Sequence, residues 1–199
     1  MSNRRGSTRI LDAQAFVLHV TPWRETSVIA KIWSREYGLI LAAAKGAKRP
    51  YSGLRTILQT FQPLRLSWAG RNEVRTLTQA EIAGFLGMPA SNLMSGWYLN
   101  ELILRLVPRE DPHPLLFDAY EQTLGLLSQK APLNQTLRRF EWILLREVGY
   151  GLDGPMPDFT DAADLEIIRP QIRARLDDSL AEAPLQSRIV MQGLHQIRN

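Results

Sequence analysis

The sequence predicts a multidomain α+β chain: a small five-stranded β-barrel over residues 1–82, then an all-α helical bundle domain over residues 83–199. Two observations lead there. Short runs rich in β-branched and aromatic residues, punctuated by Gly and Pro, fill the first part. After Glu81 the apolar residues recur at helical spacing instead. A chain of 199 residues has room for two such small domains.

The strands come in order. Ala15-Phe16-Val17-Leu18-His19-Val20 is an apolar run closed by Thr21-Pro22. Ser27-Val28-Ile29-Ala30-Lys31-Ile32-Trp33 follows and ends in a turn at Glu36-Tyr37-Gly38. Leu39 to Ala44 is the third strand, stopped by Lys45-Gly46. Leu64-Arg65-Leu66-Ser67-Trp68 alternates apolar with polar, and Ala69-Gly70-Arg71-Asn72 turns the chain into Val74-Arg75-Thr76-Leu77-Thr78. An insert between the third and fourth strands holds one or two helical turns within Ser52–Gln59. Five strands in this order suit an OB-fold, a barrel that commonly binds oligonucleotides.

In the second part, Leu93 to Leu106 carries Leu93, Met94, Trp97, Tyr98, Leu102 and Leu106 at helical spacing, and Pro108 ends it. Leu115 to Leu127 repeats the pattern. A third helix runs from Leu133 to Val148, with Asn134 as N-cap and Gly149 as stop. Tyr150 to Thr160 is a Gly/Pro-rich loop, and two or three shorter helices follow it, broken at Pro170 and Pro184.

Composition narrows the function. The absence of cysteine excludes disulfides and thiolate metal sites. No apolar run approaches the ~20 residues of a membrane span. The polar, basic start Met1–Arg9 reads as an arm and not as a secretory signal, so a cytoplasmic protein is expected. The net charge of +4 is unevenly spread. Through Ile82 there are 13 Lys/Arg against 5 Asp/Glu, and beyond it 11 against 15. Such sorting points the first part towards a polyanion, with a merely solvated basic surface as the plain alternative.

Signatures of catalysis are missing. Gly46-Ala47-Lys48 lacks the other residues of a phosphate-binding P-loop, and neither a nucleophile elbow nor a zinc-protease motif occurs. His19, His113 and His195 have no ligand spacing. The acids Asp153, Asp158, Asp161, Asp164 and Glu166 admit two readings: magnesium ligands of a nuclease or phosphatase, or the acidic first turn of a helix.

Basic residues carry more. Lys45-Gly46-Ala47-Lys48-Arg49-Pro50-Tyr51 sets three cations and an aromatic ring in one turn, where glycine lets backbone approach a phosphate. Ile29, Lys31 and Trp33 share a strand face, so Trp33 is either a base-stacking platform with Lys31 beside it or part of the barrel core. Arg65, Arg71 and Arg75 lie on strands four and five and their hairpin, where the 4–5 loop of an OB-fold often meets nucleic acid. These groups address phosphates with little sequence preference.

An ordered set of residues resembles the RecO family: Pro22-Trp23-Arg24-Glu25-Thr26-Ser27, Ala44-Lys45-Gly46-Ala47, Leu58 to Leu64, Gly70 to Leu77, Gly96 to Leu102, Leu137 to Glu141, Gly149-Tyr150, and Pro184 to Arg188. The resemblance implies an OB-fold N-terminal domain and a role in DNA repair by recombination. Such proteins bind single- and double-stranded DNA, anneal complementary strands, engage single-strand-binding protein, and with RecR help load RecA. The family match places the DNA surface on Lys45, Lys48, Arg49, Arg65, Arg71 and Arg75. It also implies that the acidic, Phe-terminated tail of single-strand-binding protein docks on the helical domain. Arg138 and Arg139 lie near the positive end of the third helix with Trp142 beside them, and they are the candidates for that partner. The alternative is that Arg138 pairs with Glu141 on a solvated face. Many family members carry a four-cysteine zinc module after the equivalent of Gly149-Tyr150. A short Pro/Gly/Asp stretch stands there in this chain, so neither zinc nor any other cofactor is expected. The expectation is a non-enzymatic recombination mediator, associated with the nucleoid. Its rivals are an OB-fold RNA-binding module and a metal-dependent nuclease.

Overall fold

The computed structural model describes residues 8–152, 154–180, 185–187 and 189–190. The start of the basic arm, the break expected at Pro184 and His195 lie outside them. The chain divides into two compact units, one reaching to Phe85 and including Pro108–Pro112, the other comprising the rest. The boundary expected at residue 82 thus falls slightly later. The return of Pro108–Pro112 to the barrel unit was not visible in the sequence.

Five strands close into a barrel in the order β1-β2-β3-β5-β4. They are β1 (Arg9–Trp23), β2 (Ser27–Ser34), β3 (Gly38–Ala44), β4 (Leu64–Ala69) and β5 (Val74–Ile82). All neighbours are antiparallel except β3 and β5, which run parallel, with Leu41 beside Val74. This is the expected OB-fold arrangement. β1 exceeds the run read from the sequence because it bends to pair with both β2 and β4. The bend falls between Ile10 and Ala13, where the register shifts. Asp12 takes a positive φ of 53° there, and its N–H donates to Ser67 Oγ at 3.1 Å.

Alternation explains the interior. Ala13, Ala15 and Val17 of β1, Val28, Ala30 and Ile32 of β2, and Ile40, Ala42 and Ala44 of β3 point inward with Leu64, Leu66 and Trp68 of β4. Five of these are alanines, which lets a small barrel close without overpacking. The short helix α1 (Gly53–Ile57) adds Leu54 and Ile57 to this core, with Leu58 just beyond it.

Trp33 corrects an expectation. It faces out of the barrel but has no solvent exposure, and its cross-strand neighbours Phe16 and Leu39 are buried too. No base can stack on a ring that solvent does not reach, so Trp33 is a packing residue.

The second unit begins with a 3-10 turn at Ala90–Asn92 and contains α2 (Leu93–Leu106), α3 (Pro114–Ser128), α4 (Leu133–Glu147) and α5 (Ala162–Ser179). The buried face of α2 is Tyr98, Leu99, Leu102 and Ile103, whereas Trp97 is exposed. α4 starts from Pro132 and not from an Asn134 cap: Thr136 N–H donates to the Pro132 carbonyl, and proline's fixed φ suits a helix start. Its end is a Schellman motif, with Gly149 at φ 83° and Tyr150 N–H donating to the Leu145 carbonyl at 2.8 Å. α5 passes through Pro170 without breaking. Ile168, Ile172 and Leu176 bury one stripe along it, worth roughly 1.5–3 kcal/mol per side chain and enough to offset the ~3 kcal/mol that an interior proline costs.

Candidate nucleic-acid interface

Strand register sets the location of the basic loop. Val28 pairs with Ala44, so the segment Lys45–Ser52 leaves β3 beside the β1–β2 turn. Two contacts fasten it there: Lys48 N–H donates to the Thr26 carbonyl at 2.9 Å, and Lys48 Nζ to the Arg24 carbonyl at 3.2 Å. Within the loop, Arg49 N–H donates to the Gly46 carbonyl at 3.0 Å, and Ser52 N–H to the Arg49 carbonyl at 3.1 Å. Gly46 has φ 74°, which a side chain would strain. Tyr51 adopts φ 62° and its ring stands fully exposed.

Lys45, Lys48 and Arg49 are therefore brought together and exposed. Two cations missed in the sequence join them. Arg24 lies in the facing turn with its guanidinium 4.2 Å from the centre of the Trp23 ring, and Arg55 projects from α1. Glu25 is the acid of that turn. Among the described residues no ion pair ties down any of the five cations. The signal for Arg24 was its place in the family-like run Pro22–Ser27, which carried no assignment to the DNA surface. For Arg55 there was none, because only the fold of the insert turns it to this side. Lys31 lies half-buried in the middle of β2, between His19 and Leu41.

The remaining arginines do not join this patch. Arg71 and Arg75 line a cavity of about 420 Å³ near the β2–β3 turn, at the other end of those strands. Arg75 Nη2 meets Glu110 Oε1 at 2.7 Å, and Nη1 donates to the Asn72 carbonyl. Glu36 and Glu110 line the same cavity, so acids balance its cations. Arg75 is thereby corrected to a structural tie that holds Pro108–Pro112 to the barrel, together with the Arg109–Glu73 pair. Gly38 contributes as well: a Cβ on it would collide with the Asp111 backbone. Arg71 Nε donates to Thr8 Oγ1 at 3.0 Å. Arg65 Nη1 donates to the Asp12 carbonyl at 3.1 Å and stays partly exposed.

In the helical unit, Arg138 is corrected too. Its Nη1 lies 2.6 Å from Glu141 Oε2, and Glu141 is fully buried, also accepting from Tyr98 Oη at 2.6 Å. The alternative pairing is thus the observed one, inside the unit and not on a solvated face. Arg139 and Trp142 instead line a groove of about 540 Å³ between α3 and α4, with Leu115, Ile143 and Arg146. The Arg146 guanidinium sits 4.8 Å over the Trp142 ring. Arg146 is the cation that sequence spacing assigned to Arg138: both are four residues from Trp142, on opposite sides.

The acidic cluster is a capping network. Asp161 Oδ1 accepts from Ala163 and Asp164 N–H at the start of α5. Asp158 accepts from the hydroxyl and amide of Thr160, which hold its carboxyl below the usual range. Asp164 accepts from Asp158 N–H. Asp153 lies outside the described residues. With these carboxylates turned to backbone amides, no metal-holding group of acids and histidines forms among the described residues. No helix there is long and apolar enough to cross a membrane.

Comparison with known proteins agrees with this architecture. Residues 9–85 match the family described as recombination protein O N terminal, and residues 90–154 its C terminal counterpart. The chain is 53% identical over 147 residues to the DNA repair protein RecO of Ralstonia nicotianae, covering 73% of this chain and 54% of that protein. It is 52% identical over 145 residues to that of Paraburkholderia xenovorans, covering 72% and 48%. For the Aromatoleum aromaticum protein the identity is 50% over 147 residues, covering 72% and 60%. The chain thus spans about half the length of the curated relatives it matches. On both halves of the fold, the chain belongs to the recombination protein O family of DNA repair proteins.

Proposed function

We propose that this chain binds single- and double-stranded DNA at the β1–β2 end of its barrel and speeds the annealing of complementary strands. The observation that carries this reading is the set of five exposed cations, Arg24, Lys45, Lys48, Arg49 and Arg55, gathered there by two loops and one helix. Phosphates of two strands repel each other, and a surface that neutralises both lowers the barrier to pairing. Arg65 and Arg71, which lie apart from this patch, are proposed as secondary phosphate contacts, with Lys31 half-buried on β2. Nothing in the mechanism makes or breaks a bond, so the protein acts without catalytic residues, metal or cofactor.

The groove of Arg139, Trp142 and Arg146 is the proposed seat of the acidic, aromatic-ended tail of single-strand-binding protein. An aromatic residue flanked by arginines suits an apolar side chain next to a carboxylate. In this role the protein works with RecR to admit RecA to coated strands in the RecF pathway, in the cytoplasm at the nucleoid.

The test is a salt titration of DNA binding. Replacing Lys45, Lys48 and Arg49 by Ala is expected to weaken binding to all sequences alike. It should also flatten the salt dependence by about 2 in log–log slope, at ~0.7 per single-strand phosphate contact. An unchanged slope refutes the patch. Competition between RNA and DNA of one sequence separates a dedicated RNA-binding module from this reading.

A further inference from the structure

Beside the basic loop lies a cavity of about 380 Å³, lined by Val20, Pro22, Val28, Ala47, Leu54 and Leu58, with Lys48 and Arg55 among the lining residues. Resting on the DNA-binding reading above, we infer that this slot accepts an unpaired nucleobase, and so makes the patch favour single strands over the duplexes it also binds.

The chemistry follows from the walls. The floor belongs to the barrel core, since Val28, Ala47 and Leu58 are buried members of it and Val20 and Leu54 pack against it. It is therefore rigid and preformed, and its volume lies within the range of about 300–1,000 Å³ typical of small-ligand sites. Aliphatic walls favour the flat, weakly hydrated face of a heterocycle over a phosphate or a sugar. The rim supplies the complement. Lys48 commits one N–H to the Arg24 carbonyl and keeps its remaining donors, while Arg55 is exposed. A base in the slot thus places its own phosphates within reach of two cations. Such a ligand is both apolar and anionic, a pairing that a nucleotide offers and a free anion or a simple hydrophobe lacks. Bases of a duplex are stacked and paired, so entry requires either a single strand or the cost of extruding a base. Among the described residues the wall contains no polar side chain besides the two cations, so the slot holds any base without reading its identity.

The experiment compares a labelled oligothymidylate with an oligomer of equal length whose residues are all abasic, by fluorescence anisotropy on the full chain. Both carry the same phosphate charge. The expected result is binding of the abasic oligomer weaker by at least fivefold, at the low end of about 1–3 kcal/mol per held base. Leu54→Trp should fill the slot, erase that difference and leave abasic binding unchanged. Equal affinity of the native protein for both oligomers overturns the slot while leaving phosphate binding intact. A difference that persists in L54W overturns its location. Failure to bind either oligomer in dilute buffer overturns the DNA-binding reading and the slot with it.

Discussion

At the scale of the residue, burial decides which arginines are available to a ligand. Arg138 and Arg146 both lie four positions from Trp142 on α4, yet they do opposite things. Arg138 neutralises Glu141, whose carboxylate has no solvent exposure and also accepts from Tyr98. Removing one partner of such a pair strands a charge in the interior, typically at a cost of 3–5 kcal/mol. Arg138→Ala is therefore expected to lower unfolding free energy by about that much in a urea titration. Arg146→Glu should leave stability within about 1 kcal/mol, since Arg146 is exposed. The same substitution should abolish capture of an acidic peptide ending in Phe, measured by calorimetry. Capture by R146E as strong as by the native chain would remove the groove from consideration. The sequence showed both arginines and the tryptophan. Which arginine faces the ring was not legible, because that depends on Tyr98, 43 positions from Glu141.

Individual elements show how packing overrides local preference. Pro170 sits in the ninth position of α5 and removes one helical hydrogen bond, but the helix is held by Ile168, Ile172 and Leu176 on a single buried stripe. Asp161 fixes its start by accepting from two backbone amides. Pro170 itself is exposed, so Pro170→Ala should raise stability, by up to ~3 kcal/mol, visible as a higher thermal midpoint. A fall in the midpoint would mean that the ring contributes packing. The strands, by contrast, were legible nearly in full, because alternation and Gly/Pro punctuation act over a few residues. The exceptions are β1, whose bend around Asp12 answers to Ser67, 55 positions away, and β5, which runs past Thr78 to Ile82 by pairing with β4.

Across the whole molecule, long-range ties join distant parts of each unit. Glu101 on α2 accepts from the amides of Gln186 and Ser187 and from the Ser187 hydroxyl, and it pairs with Arg105 at 3.1 Å. Burial alone would raise this carboxyl. The Ser187 and Gln186 hydrogen bonds and Arg105 outweigh it, leaving the group below its ordinary value. A carboxyl depressed in the folded state adds stability above its unfolded pKa, near 4.3, and loses it as pH falls through the folded value. The native chain should therefore exceed Glu101→Gln in stability at pH 6, and the gap should close below about pH 4. A gap independent of pH would show that the clasp does not depend on charge.

The sequence by itself determined the two-part architecture, the five strands, the first three helices and the concentration of cations in the first part. Each depends on periodicity or composition, which neighbouring residues carry without help from the rest. Only the tertiary structure decided which of those cations are available. Glu110 neutralises Arg75 across 35 positions, and Trp33 loses all contact with water. Alternation tells which side chains share a face, but whether that face is covered, or its charge paired, depends on groups that folding alone brings near.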